Sequence, residues 1–326
     1  MPAAPPQHAL AADMRMRHAP APFPQVPPMS ERSPLPPRWP RHLLVALSSL
    51  LVSACSSVFF AGLNAGSGRY GLSEQRGIVF DAAHGLKLDV YRPAAAQDAP
   101  VVVFFHGGTW KTGNRQQYRW AGEALARHGV VAIVPDYRKY PQVTLDGFMH
   151  DAAAAVAWSQ RHAAEHGGDP RRLVLMGHSA GAHMAALLAS DGRWLQAQGL
   201  SPRQLCGLVG LAGPYDFLPL TDPDLIGMFG RDPAQQRRSQ PVAFVDGDEP
   251  PALLLHGADD RVVEPRDSQS LQAALQRAGV PAELRLYPGV GHLPLALALR
   301  KDDPALPVMA DSIAFVRQCQ PRTLPP

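Results

Sequence analysis

Short apolar runs alternate with amphipathic segments along most of the chain. The runs are typical of buried strands and lie at 77–81, 86–91, 100–105, 130–135, 173–176, 207–212, 252–255 and 282–287. Helical patterns lie between or after most of the later runs, at 115–128, 146–166, 180–190, 265–278 and 308–318. His84-Gly85 joins the first two strands as in a hairpin. The pattern predicts a mainly parallel eight-stranded sheet with helices on both faces.

One predicted strand ends in the sequence Gly177-His178-Ser179-Ala180-Gly181, and a helical pattern follows it. A serine between two glycines, with a strand before it and a helix after it, predicts a sharp turn on which its hydroxyl stands clear of the backbone. An ordinary glycine–serine loop is the alternative. Because the strand and helix accompany the motif, we predict that Ser179 is a nucleophile.

A second strand, at 100–105, runs into His106-Gly107-Gly108. Backbone N–H groups of glycines can face a substrate oxygen without obstruction, so Gly107 and Gly108 are predicted to form an oxyanion hole with the N–H of Ala180. A plain glycine turn that closes the strand is the alternative. His106 precedes the serine, whereas this kind of site places its acid and histidine after it. We therefore expect His106 to support the loop.

The acid and the base are predicted in loops that follow two later strands. His292 follows the last strand in a glycine-rich loop, and a neutral imidazole can take the serine proton and return it to the leaving group. Asp259 and Asp260 follow the strand at 252–255, and we favour Asp260 as the acid, with Asp259 as a capping or solvated residue. Histidines nearer to other motifs are expected to be packing or hydrogen-bonded residues: His178, His183 and His256.

These motifs resemble those of the α/β-hydrolase superfamily, in its esterase branch. The resemblance lies in the segments 106–110 (HGGTW), 136–138 (DYR) and 177–183 (GHSAGAH). They are similar to the motifs of bacterial carboxylesterases of the feruloyl- and acetyl-esterase type, isoprenylcysteine methylesterases and kynurenine formamidases. The resemblance covers roughly residues 75–320 and implies an α/β-hydrolase fold. Thr109 stands where hormone-sensitive-lipase-like proteins have a third glycine, which indicates the H-G-G-x-W subgroup.

The region between Tyr215 and Asp248 has no clear strand pattern, and we predict that it forms a short lid. Trp110 and Phe217 are candidates to line the substrate pocket beneath it. Plain core packing of these two aromatic side chains is an equal alternative.

Composition narrows the function further. The 326 residues are 46% hydrophobic and 18% charged, which suits one globular domain plus extra segments. The net charge is +3, and the sequence has no basic stripe interleaved with aromatic residues, so we expect no nucleic-acid partner. It contains no zinc-type Cys/His spacing, no P-loop and no dinucleotide-binding glycine motif. We therefore expect no metal and no cofactor.

The N-terminal region predicts export. Residues 1–40 are rich in proline and alanine, and such a segment cannot pack a core. Basic residues then precede the apolar run 43–51, which is short for a bilayer span and typical of a secretory signal. Small residues followed by Cys55 resemble a bacterial lipobox, so Cys55 is the predicted lipidation site. An ordinary signal peptide and an uncleaved anchor helix are the alternatives.

The predicted domain organisation follows from these features. The segments are a disordered region or upstream start (1–28), a lipoprotein-type signal peptide (29–54), a flexible tether (55–74) and a catalytic domain (75–320). By resemblance to Gram-negative lipoproteins, Ser56 after Cys55 favours the outer membrane, with the catalytic domain in the periplasm or outside the cell. Such a compartment would permit a disulfide between Cys206 and Cys319, although two buried free cysteines are equally compatible with the sequence.

The sequence therefore predicts a lipid-anchored serine hydrolase. Its partner would be a small carboxylic ester with a small or medium acyl or aryl group, cleaved through an acyl-enzyme. One alternative is an amidase of the kynurenine formamidase type, against which export argues because that substrate is a cytosolic metabolite. The other is a non-catalytic envelope protein, against which the complete set of Ser179, Asp260 and His292 argues.

Overall fold

A computed structural model describes residues 58–65 and 71–321 of the chain. The predicted signal peptide, Cys55 and part of the predicted tether lie outside these residues. The described strands are β1 (Leu72–Asp81), β2 (Leu86–Pro93), β3 (Ala99–Phe105), β4 (Val131–Pro135), β5 (Gly168–His178), β6 (Gly207–Leu211), β7 (Ala252–Gly257) and β8 (Ala282–Tyr287). They form one sheet of eight strands in the order β1-β2-β4-β3-β5-β6-β7-β8.

The sheet is mainly parallel, as predicted. β1 is antiparallel to β2, and β2 is antiparallel to β4. Every other pair of neighbours is parallel. Because parallel strands point the same way, the loops after β3, β5, β6, β7 and β8 emerge at one edge of the sheet, where open α/β sheets bind ligands.

Helices cover both faces of this sheet. Besides a helical turn at 58–63, the described helices are α1 (Arg119–Arg127), α2 (Leu145–His162), α3 (Ala180–Ser190), α4 (Gly192–Gln196), α5 (Pro223–Phe229), α6 (Pro233–Arg237), α7 (Pro265–Arg277), α8 (His292–Leu297) and α9 (Val308–Gln318). Successive side chains of β3 pack on opposite faces of the sheet. Val101 and Val103 pack with residues of α2, α3 and α7 on one face. Val102 and Phe104 pack with residues of α1 and α9 instead. The α/β-hydrolase fold is therefore confirmed.

Several element boundaries differ from the prediction for local reasons. β1 begins at Leu72 rather than at 77, because its first residues pair with the end of β2 despite their polar sequence. β5 begins at Gly168 rather than at 173, because its first residues, 169–172, are polar and gave no strand pattern. The helix predicted at 115–128 begins with a 3₁₀ turn, Arg115–Tyr118, capped by the side chain of Asn114. The helix predicted at 146–166 ends in another, Ala163–His166, before the left-handed Gly167.

A disulfide joins the two cysteines whose pairing the sequence left undecided. Cys206, just before β6, is bonded to Cys319 at the end of α9, with 5.6 Å between their Cα atoms. This bond ties the last helix to the strand beside β5 and leaves no free cysteine among the described residues.

Candidate active site

Ser179 occupies the turn between β5 and α3. Its backbone has φ 56° and ψ −123°, a conformation that side-chain-bearing residues rarely adopt. The Ser179 N–H donates to the Leu211 carbonyl at 2.9 Å, and the Ser179 carbonyl accepts from the His183 N–H at 3.0 Å. Both neighbouring elements therefore hold the strained turn in place, as is usual where strain serves function.

Glycine is required on both sides of this turn. A Cβ at Gly177 would lie 2.4 Å from the backbone carbon of Gly181. A Cβ at Gly181 would lie 2.0 Å from the carbonyl oxygen of Phe105. Since real Cβ atoms do not approach backbone atoms so closely, any larger residue would push α3 away from β3 and β5 and displace Ser179.

The loops after β7 and β8 bring an acid and a histidine together. Asp260 is 5% exposed, and its Oδ2 lies 2.7 Å from Nδ1 of His292, the first residue of α8. Its Oδ1 accepts hydrogen bonds from the N–H groups of Val262 and Val263 at 2.8 and 3.0 Å. Asp259 is exposed to solvent. The structure thus places Asp260, and not its neighbour, against the histidine.

The surroundings of Asp260 keep its carboxyl group ionised. Burial acts to raise its pKa, but the N–H of Val263, the His292 ring and the N–H of Val262 outweigh that effect, so the pKa of Asp260 lies below its usual range. An ionised carboxylate accepts the Nδ1 proton of His292 and leaves the lone pair on Nε2. His292 is then in the tautomer that a general base needs.

Ser179 and His292 are brought to one edge but do not bond directly in the described chain. Ser179 Oγ makes no hydrogen bond to His292, and contacts of this kind often tighten only when substrate binds. Instead, His178 contacts His292: its Nε2 donates to the His292 carbonyl at 3.2 Å, and the two rings lie 4.6 Å apart. Burial, with the charge of His292, lowers the pKa of His178 to about 3, so it stays neutral.

The loop after β3 approaches the serine closely. A Cβ at Gly107 would lie 3.3 Å from the Ser179 Cβ, and Gly108 has φ 127°. His106 supports this loop as expected: its Nδ1 donates to the Gly107 carbonyl at 2.8 Å, and its ring stacks on Tyr137 at 4.5 Å. Burial and then the charge of Lys139 lower the pKa of His106 to about 4, which keeps the ring neutral.

A cavity of about 410 Å³ opens beside Ser179. Its walls include Trp110 and Phe217, whose ring centroids are 6.2 Å apart. The same two rings pack with Phe229, so they line the cavity and belong to the core as well. Leu220 and Leu225, from the region predicted to be a lid, line the cavity too. A larger cavity, of about 690 Å³, adjoins the disulfide and contains none of the predicted site residues.

Comparison with known proteins decides the family. The BD-FAE family model matches residues 88–275. The chain belongs to the BD-FAE family. Over 244 residues it is 32% identical to the isoprenylcysteine alpha-carbonyl methylesterase ICME of Arabidopsis thaliana, covering 68% of this chain and 57% of that protein. Over 225 residues it is 30% identical to esterase LipC of Mycobacterium tuberculosis, covering 63% of this chain and 56% of that protein. The chain thus spans little more than half the length of these curated relatives.

Solved structures agree with this family. Esterase B from Lactobacillus rhamnosis has a TM-score of 0.69 over 83% of this chain and 95% of its own, at 23% identity, which shows the shared fold. Thermogutta terrifontis esterase 2, phosphonylated by sarin, has a TM-score of 0.63 over 76% of this chain and 93% of its own, at 26% identity. The α/β-hydrolase resemblance expected from the motifs is confirmed.

This BD-FAE protein also has site features that its sequence did not indicate. Thr109 and Trp110 both have positive φ, 51° and 56°, so the loop after β3 stays left-handed beyond its glycines. Asp267 of α7 is 4% exposed and lines the cavity with Ser179. The glycine pair Gly107-Gly108 was the nearest sequence signal for the left-handed conformation of this loop. No signal pointed to Asp267, since acids are common in the first turn of helices.

The other histidines of the BD-FAE chain have structural partners, as expected. His183 Nε2 donates to the Ser239 carbonyl at 2.6 Å, and burial lowers the pKa of His183 to about 4. His256 lies 2.7 Å from Ser268 Oγ through Nδ1, and burial lowers its pKa as well. Neither ring is therefore available as the base. In the described part of the chain, no helix combines the length and apolar character that a membrane span requires.

Proposed function

We propose that this protein is a carboxylic ester hydrolase that works through an acyl-enzyme on Ser179. The observation that carries the proposal is the buried Asp260–His292 hydrogen bond at the same sheet edge as a serine with φ 56°. Relatives named as esterases and carrying a similar sequence support it. A scaffold protein would have no need to maintain a strained serine beside a cavity.

The mechanism follows from the groups at this edge. Ser179 Oγ attacks the ester carbonyl carbon while His292 Nε2 accepts its proton, and Asp260 stabilises the imidazolium that forms. The N–H groups of Gly107, Gly108 and Ala180 hold the oxyanion, and each such donor contributes about 3 kcal/mol to transition-state stabilisation. His292 then protonates the leaving alcohol. Water, activated by His292, hydrolyses the acyl-enzyme and returns Ser179 to its free state.

The cavity suggests the size of the substrate. A volume of about 410 Å³ with largely aromatic and aliphatic walls suits a small or medium group rather than a polymer chain. Thermogutta terrifontis esterase 2, 25% identical to this chain, has been solved with propionate bound. We infer that short acyl groups are accepted here as well.

A substrate panel tests this proposal. We expect turnover of p-nitrophenyl esters to be greatest for short and medium acyl chains, and N-formylkynurenine to be cleaved far more slowly than p-nitrophenyl acetate. A faster reaction with N-formylkynurenine would support the amidase alternative instead. No turnover of any member, with no labelling by a fluorophosphonate, would support the non-catalytic alternative.

We further propose that Cys55 anchors the protein to the cell envelope. Processing before Cys55 would leave a lipid-carrying N-terminus. Several acyl chains together anchor a protein stably, whereas one binds a bilayer only marginally. The glycines at 62, 66, 68 and 71 would give the chain after Cys55 local freedom, although residues 58–63 form a helical turn.

Replacing the cysteine tests the anchor. Cys55→Ala should block lipid attachment and leave the precursor with its signal uncleaved, so that mass spectrometry of the membrane fraction finds no lipidated N-terminal peptide. Cys206→Ala is the matched control, because it removes the disulfide and not the proposed anchor. An unmodified mature N-terminus at any residue other than Cys55 in the wild type would show that the anchor is wrong and leave the hydrolase proposal intact.

A further inference from the structure

One wall of the cavity beside Ser179 carries a buried carboxyl group that the mechanism does not use. Asp267 lies in the first turn of α7, is 4% exposed and lines the cavity with Ser179 and Trp110. The backbone N–H of Tyr215 donates a hydrogen bond to this carboxyl group, but its Oδ1 makes no hydrogen bond, and no cation of the described chain forms an ion pair with it. Buried carboxyl groups almost always have partners, because an unpaired one destabilises the fold. One backbone hydrogen bond does not supply a counter-ion, so Oδ1 is left free to meet a group of the substrate.

The charged groups that face Asp267 leave the wall negative. Glu264 and Arg266 come from the start of α7, and they pair with each other at 2.8 Å on side chains that are about two-thirds exposed. Asp216 comes from the loop after β6, directly after Tyr215, whose backbone hydrogen-bonds the Asp267 carboxyl group. Burial raises the pKa of Asp267 to about 7. Arg266 opposes that rise, while Asp216 and Glu264 add to it.

The cavity also offers aromatic surface to a positive charge. Trp110 and Phe217 line it together with Asp267. A cation is attracted to the faces of aromatic rings, and the attraction grows where water is excluded. A carboxylate without a counter-ion and two aromatic rings in one cavity are the elements that recognise an ammonium group.

We propose that Asp267 is a specificity-determining residue that selects esters carrying an ammonium group in the part of the substrate that fills this cavity. The inference rests on the proposed function and narrows its substrate class. Both a protonated amine and a quaternary ammonium group would supply a positive charge to this wall of the cavity. The positive charge of the substrate would supply the counter-ion that Asp267 lacks, and an anionic ester would be repelled.

A pair of esters with the same shape and different charge tests the proposal. Choline butyrate and its neutral isostere 3,3-dimethylbutyl butyrate differ only by the charged nitrogen. At pH 8, where Asp267 is ionised, we expect kcat/KM to favour the choline ester by about ten-fold or more. Below pH 6 the carboxyl is protonated, and the preference should fall towards one.

Two variants separate a specific from a general effect of charge. Asp267→Asn keeps the shape and should show no preference at either pH. Glu165→Gln removes an exposed carboxylate at the amino-terminal end of β5, on the opposite edge of the sheet, and should keep the wild-type preference and its pH dependence. Equal preference in the wild type and Asp267→Asn would overturn the proposal. A preference for hydroxyl-bearing esters that Asp267→Asn loses would also overturn it, since Asp267 would then recognise a hydroxyl group.

A binding measurement keeps this test independent of turnover. Tetramethylammonium chloride should raise the melting temperature of the wild type at pH 8 more than that of Asp267→Asn, with sodium chloride as the ionic-strength control. If the protein is labelled by a fluorophosphonate but shows neither selective stabilisation nor a cation preference, the ammonium proposal is wrong and the hydrolase proposal holds. If it shows selective stabilisation without labelling, the hydrolase proposal alone is wrong.

The variant should also fold, because Asn relieves the burial of a charge. The folded-state pKa of Asp267 lies near 7 and the unfolded value near 3.8. The unfolded state therefore releases the proton first as pH rises, and wild-type stability falls between these values. The melting temperature of Asp267→Asn, measured relative to that of the wild type, should rise from pH 5 to pH 8. A constant difference would mean that the carboxyl already has a counter-ion and would contradict the proposal.

Discussion

Ser179→Ala should abolish ester hydrolysis, with kcat lowered by at least about 10⁴-fold. The variant keeps His292 and Asp260 but has no oxygen on which an acyl group can be carried. The fold should persist, because the hydrogen bonds that hold this turn, from Ser179 N–H to Leu211 and from His183 to the Ser179 carbonyl, are backbone bonds. Turnover of p-nitrophenyl acetate, fluorophosphonate labelling and circular dichroism measure the three expectations.

A second serine provides the control for this experiment. Ser190 is buried at the end of α3, the helix that follows Ser179, and its Oγ donates to the Ala186 carbonyl at 2.9 Å. Ser190→Ala should therefore keep both labelling and turnover. If Ser179→Ala were still labelled, at a different serine, the nucleophile would lie elsewhere.

Asp260→Asn should lower kcat by about 10⁴-fold, because an amide cannot hold His292 in the tautomer that leaves Nε2 free. The pKa of Asp260 lies below its usual range, so the wild-type carboxylate remains ionised throughout the neutral pH range of an assay. Asp259→Asn is the matched control: the same chemical change at the neighbouring, exposed position should leave kcat close to that of the wild type. Small and equal losses in both variants would place the acid at another residue.

Much of the site was predictable because its residues follow strands. In a parallel sheet the strand ends meet at one edge, so motifs after 100–105, 173–176, 252–255 and 282–287 could be placed together without knowing any distance. Asp260 and Asp259 could not be separated in this way, because both are aspartates after the same strand. Burial separates them: one carboxyl accepts from two N–H groups and His292, and the other faces solvent.

Other features depend on tertiary contacts that no local pattern encodes. Residues 169–172 are polar, yet β5 begins at Gly168, because its first residue pairs with Ala99 of β3. Asp267 is an ordinary first-turn acid in sequence, and it becomes a cavity residue only because α7 packs beside the loop after β6. The pairing of Cys206 with Cys319 likewise depends on α9 lying against β6, across 113 residues of sequence.

The acyl-enzyme itself is the most direct test of the account. Wild-type protein mixed rapidly with p-nitrophenyl acetate should release about one equivalent of p-nitrophenol in a burst. Acid quenching and peptide mapping should then find one acetyl group on Ser179 and none after the same treatment of Ser179→Ala. A wild-type protein that turns over the ester without a burst and without an adduct on Ser179 would contradict covalent catalysis at this serine.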